Sequence, residues 1–254
     1  MKRKSVMIVF TIASVVCFAA SALADWQPAD GHKMHFPQTP KFSGWDVEFA
    51  MSSLADDWMC SQTGPVEDIH FWISWYQDFV QPIGSFTVRI WSDQPVGPGG
   101  YSQPNVQLWE RTFQAADFTV AEQPPDLQGW YDPSSGVWEL ANHIRWFQIN
   151  IEDIQAPFIQ EEGTVYWLEI DFGPLPFIGW KETDQHWNDD GVLWYDPDWL
   201  ELTDPIEGTS IDLAFVITGS PPPVPSVSPV GVAMLGGLVF GIAVAGLVVQ
   251  RRRT

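Results

Sequence analysis

Thiols are nearly missing from this chain, with two cysteines, Cys17 and Cys60, in 254 residues. Cys17 falls in an N-terminal apolar run, so the segment that follows holds one thiol and cannot close a disulfide of its own. Cys60, beside Trp58 and Met59, reads as a small buried hydrophobe, with an intermolecular disulfide as the other use. Basic residues are scarce too, 12 Lys+Arg against 32 Asp+Glu. Three of the 12 precede residue 25 and three follow residue 250, which leaves six and a net charge of about −26 in between. A field of that sign repels nucleic acid and anionic membrane surfaces and suits cations. The same segment has no long stretch of helical periodicity. It carries no Gly-x-Ser-x-Gly elbow, P-loop or dinucleotide fingerprint. Its histidines (His32, His35, His70, His143 and His186) have no His-x-His or Glu-x-x-His spacing, the pattern a zinc or iron site needs.

Aromatic residues are abundant, and all 15 Trp lie between residues 25 and 219. That much ring surface can bury a core despite the low charge balance, which excludes disorder, and roughly 195 residues fit one domain.

The two ends carry targeting patterns. Lys2, Arg3 and Lys4 precede an apolar core and Ala22-Leu23-Ala24, the anatomy of a secretory signal peptide over 1–24. At the other end, a proline-rich spacer over 220–229 leads to an apolar run, Val230 to Val249. Twenty such residues rise roughly 30 Å as a helix, the thickness of a bilayer core. Arg251, Arg252 and Arg253 in the basic end, 250–254, form the stop signal that stays cytoplasmic. Export with a C-terminal membrane anchor follows as the expected topology.

Between these ends, period-two alternation dominates. Ile69, Phe71, Ile73 and Trp75 share one strand face, opposite His70, Trp72, Ser74 and Tyr76. Similar runs occupy 86–91, 106–113, 118–121, 144–151, 166–172 and 209–218, separated by turns such as Asp132-Pro133-Ser134 and Asp189-Asp190-Gly191. The expectation is an all-β fold of seven to nine strands over 43–219, an antiparallel β-sandwich that admits a jelly roll, after an N-terminal extension over 25–42.

Several phrases carry a resemblance: Leu54-Ala55-Asp56-Asp57-Trp58-Met59-Cys60, Asp68-Ile69-His70-Phe71-Trp72-Ile73-Ser74-Trp75, Gly129-Trp130-Tyr131-Asp132-Pro133, His186-Trp187-Asn188-Asp189-Asp190 and Ser210-Ile211-Asp212-Leu213-Ala214-Phe215. Together they resemble an uncharacterised domain family of secreted bacterial proteins, often with PEP-CTERM-type tails. The resemblance implies an extracellular β-rich domain and no catalytic residues. The tail is similar to a PEP-CTERM sorting signal except that Pro223-Val224-Pro225 stands where Pro-Glu-Pro belongs. A plain anchor therefore stands beside processing by a sorting transpeptidase.

Two chemistries are open to the domain. Asp189 and Asp190, with Gly191 to turn the backbone, offer hard oxygen ligands for Ca²⁺, though without the spacing of an EF-hand. Trp130, Tyr131, Trp187 and Trp194, in Asp/Asn-rich loops, offer flat rings that stack on sugars of an extracellular polysaccharide. Binding or structuring extracellular material is the leading function. A secreted polysaccharide-acting hydrolase is the alternative, which needs two facing carboxylates.

Overall fold

A computed structural model of the chain describes residues 25–50, 52–96 and 100–219. In chain order the strands are β1 (Trp45–Glu48), β2 (Ser53–Met59), β3 (Gly64–Pro65), β4 (Asp68–Trp75), β5 (Ser85–Gln94), β6 (Gln103–Gln114), β7 (Thr119–Glu122) and β8 (Gln128–Asp132). They continue as β9 (Val137–His143), β10 (Trp146–Ile151), β11 (Ile159–Gln160), β12 (Val165–Asp171), β13 (Ile178–Lys181), β14 (Val192–Tyr195), β15 (Asp198–Glu201) and β16 (Phe215–Thr218). The domain is all-β, as the alternation requires. It holds sixteen strands among the described residues, more than the seven to nine expected, because four-residue strands are too short to show a period.

An eight-stranded sheet runs β7-β10-β4-β13-β1-β8-β9, with β16 on the remaining length of β4, and a six-stranded sheet runs β15-β14-β2-β12-β5-β6. The pairing is antiparallel throughout except β1 with β8, which run parallel in register Trp45↔Gly129. The wholly antiparallel expectation is corrected at that pair. A parallel pair needs a long crossover, and about eighty residues separate these two strands. No sequence-local turn announces it.

Alternation sets the sandwich. Ile69, Phe71 and Ile73 of β4 and Phe147, Ile149 and Ile151 of β10 join Leu54, Trp58, Val88, Ile90, Leu168 and Ile170 of the other sheet in one buried core. Phe71 meets Phe86 across the interface at 5.6 Å between centroids, and Trp58 meets Phe215 at 6.2 Å. Each buried ring of this size contributes about 2–3 kcal/mol through area removed from water.

The outer face of the large sheet is covered over β4 and β10, whose residues there are buried, while β7 and β9 stay largely exposed. The residues over 25–42 pack onto the sandwich as part of it. Met34 and Gln38 are fully buried, and bridges join Met34 to Cys60, Gln38 to Phe215 and Pro40 to Thr183. Beneath this arm His70 is buried rather than exposed, with Nδ1 2.7 Å from Asn150 Oδ1 and Nε2 3.2 Å from Thr218 Oγ1. Cys60 is a buried free thiol whose Sγ donates to the Gln62 carbonyl at 3.2 Å. Among the described residues no helix is long and apolar enough to cross a membrane. The signal segment and the apolar tail with Arg251 to Arg253 lie outside the described residues.

Candidate functional site

Strands β4 and β10 pair in register His70↔Asn150, Trp72↔Gln148 and Ser74↔Trp146, so these six side chains form three rows on the face away from the core. The arm crosses that face and builds walls on it. Trp26 meets Trp72 edge to face at 6.0 Å, and Phe42 meets Trp146 at 6.1 Å. Between them lies a groove of about 690 Å³, framed by Trp26, Phe36, Phe42, Trp72 and Trp146.

None of the groove's lining residues carries a charge, in a domain that is otherwise strongly acidic. Its polar groups are amides held in place. Gln148 donates to the Trp26 carbonyl at 3.2 Å, and Gln185 Oε1 accepts from the backbone and hydroxyl of Thr39 at 2.8 and 3.0 Å. The Trp146 indole N–H is satisfied by the Pro124 carbonyl at 2.8 Å. The Lys181 ammonium lies 5.4 Å from the Trp146 ring centroid, and its burial pulls its pKa down from the usual lysine range. Fixed rings with oriented amides suit an uncharged ligand that offers flat apolar faces and hydroxyls.

A second cleft, of about 390 Å³, opens on the small sheet. Alternation along β5 and β12 sends Arg89, Trp91, Glu169 and Asp171 outward. Trp194 and Trp199 pair directly across β14 and β15. Glu169 accepts from Arg89 at 2.6 Å and from the Trp91 indole at 2.6 Å. Burial alone would lower the Arg89 pKa, but its bonds to Glu110 and Glu169 outweigh that and raise it.

A third cluster is buried at the free length of β2. Asp56 accepts from the Leu213 backbone at 2.5 Å and from Gln38 at 3.0 Å, and Asp57 accepts from Asn188 at 2.5 Å. The Trp187 backbone donates to Asp212 at 2.8 Å. Burial is the largest effect on all three carboxyls. It pushes Asp57 up to about 9 and Asp212 to about 7, and it raises Asp56 well above the carboxylate range with help from the Asp212 and Asp57 charges. Asp57 Oδ1, Asp212 Oδ1 and Gln38 Oε1 are buried without a hydrogen-bond partner.

The expected site residues divide among these places. Asp190 is bonded by Ser210, and the Asp189 charge is felt at Asp57, so both border the third cluster. Among the described residues no group of three or more His, Cys, Asp or Glu is arranged to hold a metal ion. Trp194 lines the small-sheet cleft. Trp187 stacks on His35 at 4.2 Å, and Tyr131 is half-buried against Trp45. Trp130 is 2% exposed, its indole N–H on Glu48 at 3.2 Å, so its ring serves packing. Loop composition misses Trp72 and Trp146, which sit on strands. Their signal was the alternation itself, which puts both on the face opposite the core rows.

No curated protein and no solved structure matches the chain. The family model described as "Domain of unknown function (DUF7901)" matches residues 34–218, and the chain belongs to that family.

Proposed function

We propose that this domain is the ligand-binding part of an exported protein and that it holds an uncharged polysaccharide in the groove between Trp26, Trp72 and Trp146. One observation carries the reading. A groove of about 690 Å³ is walled by aromatic rings and amides and lined by no charge, while the domain around it carries about −26. An acidic or basic polymer would gain nothing there. A neutral sugar ring gains apolar contact with Phe42, which is 71% exposed, over a floor of indoles that are 4–5% exposed, and hydrogen bonds to the glutamines.

Export, and retention by a C-terminal anchor or a PEP-CTERM-like sorting tail, come from the end segments. They place such a domain where polysaccharide is met. Hydrolysis would need carboxylates on facing walls of the bound chain, and none of the residues lining this groove is Asp or Glu. Binding without turnover is therefore the favoured activity. A glycan array probed with the full chain should return neutral saccharides, and the Trp72→Ala variant should lose them. A response confined to charged glycans, or one unchanged in Trp72→Ala, would overturn the reading.

A further inference from the structure

The small-sheet cleft has a chemistry unlike that of the groove. Trp91, Trp194 and Trp199 line it together, with Trp91 and Trp199 at 80° and 6.4 Å and Trp194 and Trp199 at 63° and 5.2 Å. Adjacent indoles thus stand close to perpendicular around one cavity. Trp199 is 7% exposed and fixed between the other two, while Trp91 and Trp194 are half-buried. The Trp91 indole N–H donates to Glu169 Oε2 at 2.6 Å. A carboxylate on the indole N–H leaves the ring face richer in electron density, which favours a cation over that face.

Charge supports the same ligand class. Arg89 lines the cleft with Glu169 and Asp171 and bonds them at 2.6 and 3.3 Å, and it also bonds Glu110 outside the lining at 2.6 Å, so two carboxylates outweigh one guanidinium and the lining stays net negative. Those carboxylates are already engaged. Both oxygens of Glu169 are used by Arg89 and Trp91, and those of Asp171 by Arg89 and the Gly173 backbone. A primary ammonium would have to compete with Arg89, Trp91 and the Gly173 backbone for the acceptor capacity that remains on these oxygens. A methylated ammonium brings positive charge and apolar methyl surface with no donor to satisfy.

We propose that the Trp91–Trp194–Trp199 cleft binds a quaternary ammonium group, held by cation–π contact with the indoles and by the negative field of Glu169 and Asp171. The site lies on the sheet opposite the polysaccharide groove, and neither assignment depends on the other. Such a group can come from a small free cation, a choline headgroup or a trimethylated lysine, and all present the same methyl-covered charge.

Tetramethylammonium chloride is the probe, titrated into the full chain against tryptophan fluorescence with NaCl matching the ionic strength. Its neutral isostere, 3,3-dimethylbutan-1-ol, is titrated in parallel. Saturable quenching by the cation is expected, with binding at least tenfold weaker for the isostere. Trp194→Ala should weaken the cation at least tenfold while Trp138→Ala, elsewhere on the surface, leaves it unchanged. Asp171→Asn should weaken it without removing a ring, which separates loss of field from loss of fold. Parallel titrations with phosphocholine vesicles and a trimethyllysine peptide assign the source. Equal binding of cation and isostere, no saturation beyond NaCl, or an unaffected Trp194→Ala would each overturn the proposal.

Discussion

Phe42 meets Trp146 edge to face, their ring centroids 6.1 Å apart and their planes at 88°, while 71% of Phe42 remains exposed. A large apolar ring left in water gains little for stability, so its value lies in what it can contact. Trp146 itself is 5% exposed, packed between the large sheet and the arm.

The two rings are therefore expected to separate on mutation. Phe42→Ala should leave urea-unfolding stability within about 0.5 kcal/mol yet weaken a neutral oligosaccharide roughly two- to tenfold, the worth of one aromatic contact. Trp146→Ala should cost about 3–5 kcal/mol of stability, as large-to-small changes of buried rings do. Titration calorimetry beside denaturant melts checks both. A Phe42→Ala that unfolds the domain but leaves binding intact would contradict the division.

Stability should fall as the medium turns alkaline. An unfolded Asp titrates near about 3.9, whereas burial holds Asp57 up to about 9 and Asp212 to about 7. The folded chain keeps protons that the unfolded chain releases. Their contribution is complete below about pH 4 and is lost as pH rises through about 7 for Asp212 and about 9 for Asp57, at up to about 1.4 kcal/mol per pH unit for each proton. Asp57→Asn removes one such titration and should flatten the pH dependence of unfolding free energy between pH 5 and 9. A slope identical to that of the unaltered chain would show that Asp57 is not protonated in the fold.

Close approach at the parallel β1–β8 pair gives a third expectation. A Cβ on Gly129 would stand 2.6 Å from Trp45 Cε3, inside any permitted contact. The Trp45 ring cannot swing away freely, because its N–H donates to Asp204 at 2.7 Å. Gly129→Ala is expected to cost about 1–3 kcal/mol by overpacking, read as a lower denaturant midpoint. Gly100→Ala, where a Cβ meets nothing within 4 Å, should be neutral. Equal midpoints for both variants would sink the pairing.

What the sequence disclosed follows from how local each feature is. The core rows of β4 and β10 were legible because alternation is written in consecutive residues. The face opposite them was legible as well, including Trp72 and Trp146, but nothing local says that residues 25–42 fold back to wall it. Asp56 and Asp57 meet Asp212 across about 155 positions of chain, and carboxyls raised by mutual burial leave no mark in spacing. Trp130 looked like a surface ring because Asp and Pro follow it. Its place on β8 beneath Tyr76, at 5.4 Å, is set by pairing with β1, which only the assembled sheet defines. The small-sheet cleft was half visible, through Trp194 alone, since Trp91 and Trp199 arrive from other strands.

Fluorine NMR of the full chain with every tryptophan replaced by 5-fluorotryptophan tests the central claim most directly, with resonances assigned by single Trp→Phe changes. Addition of a neutral oligosaccharide selected on the array should shift the signals of Trp26, Trp72 and Trp146. It should leave Trp58 and Trp167, buried in the domain, and Trp91, Trp194 and Trp199 of the other cleft where they were. Shifts confined to Trp91, Trp194 and Trp199, or no shift at any tryptophan at saturating saccharide, would contradict the groove as the polysaccharide site.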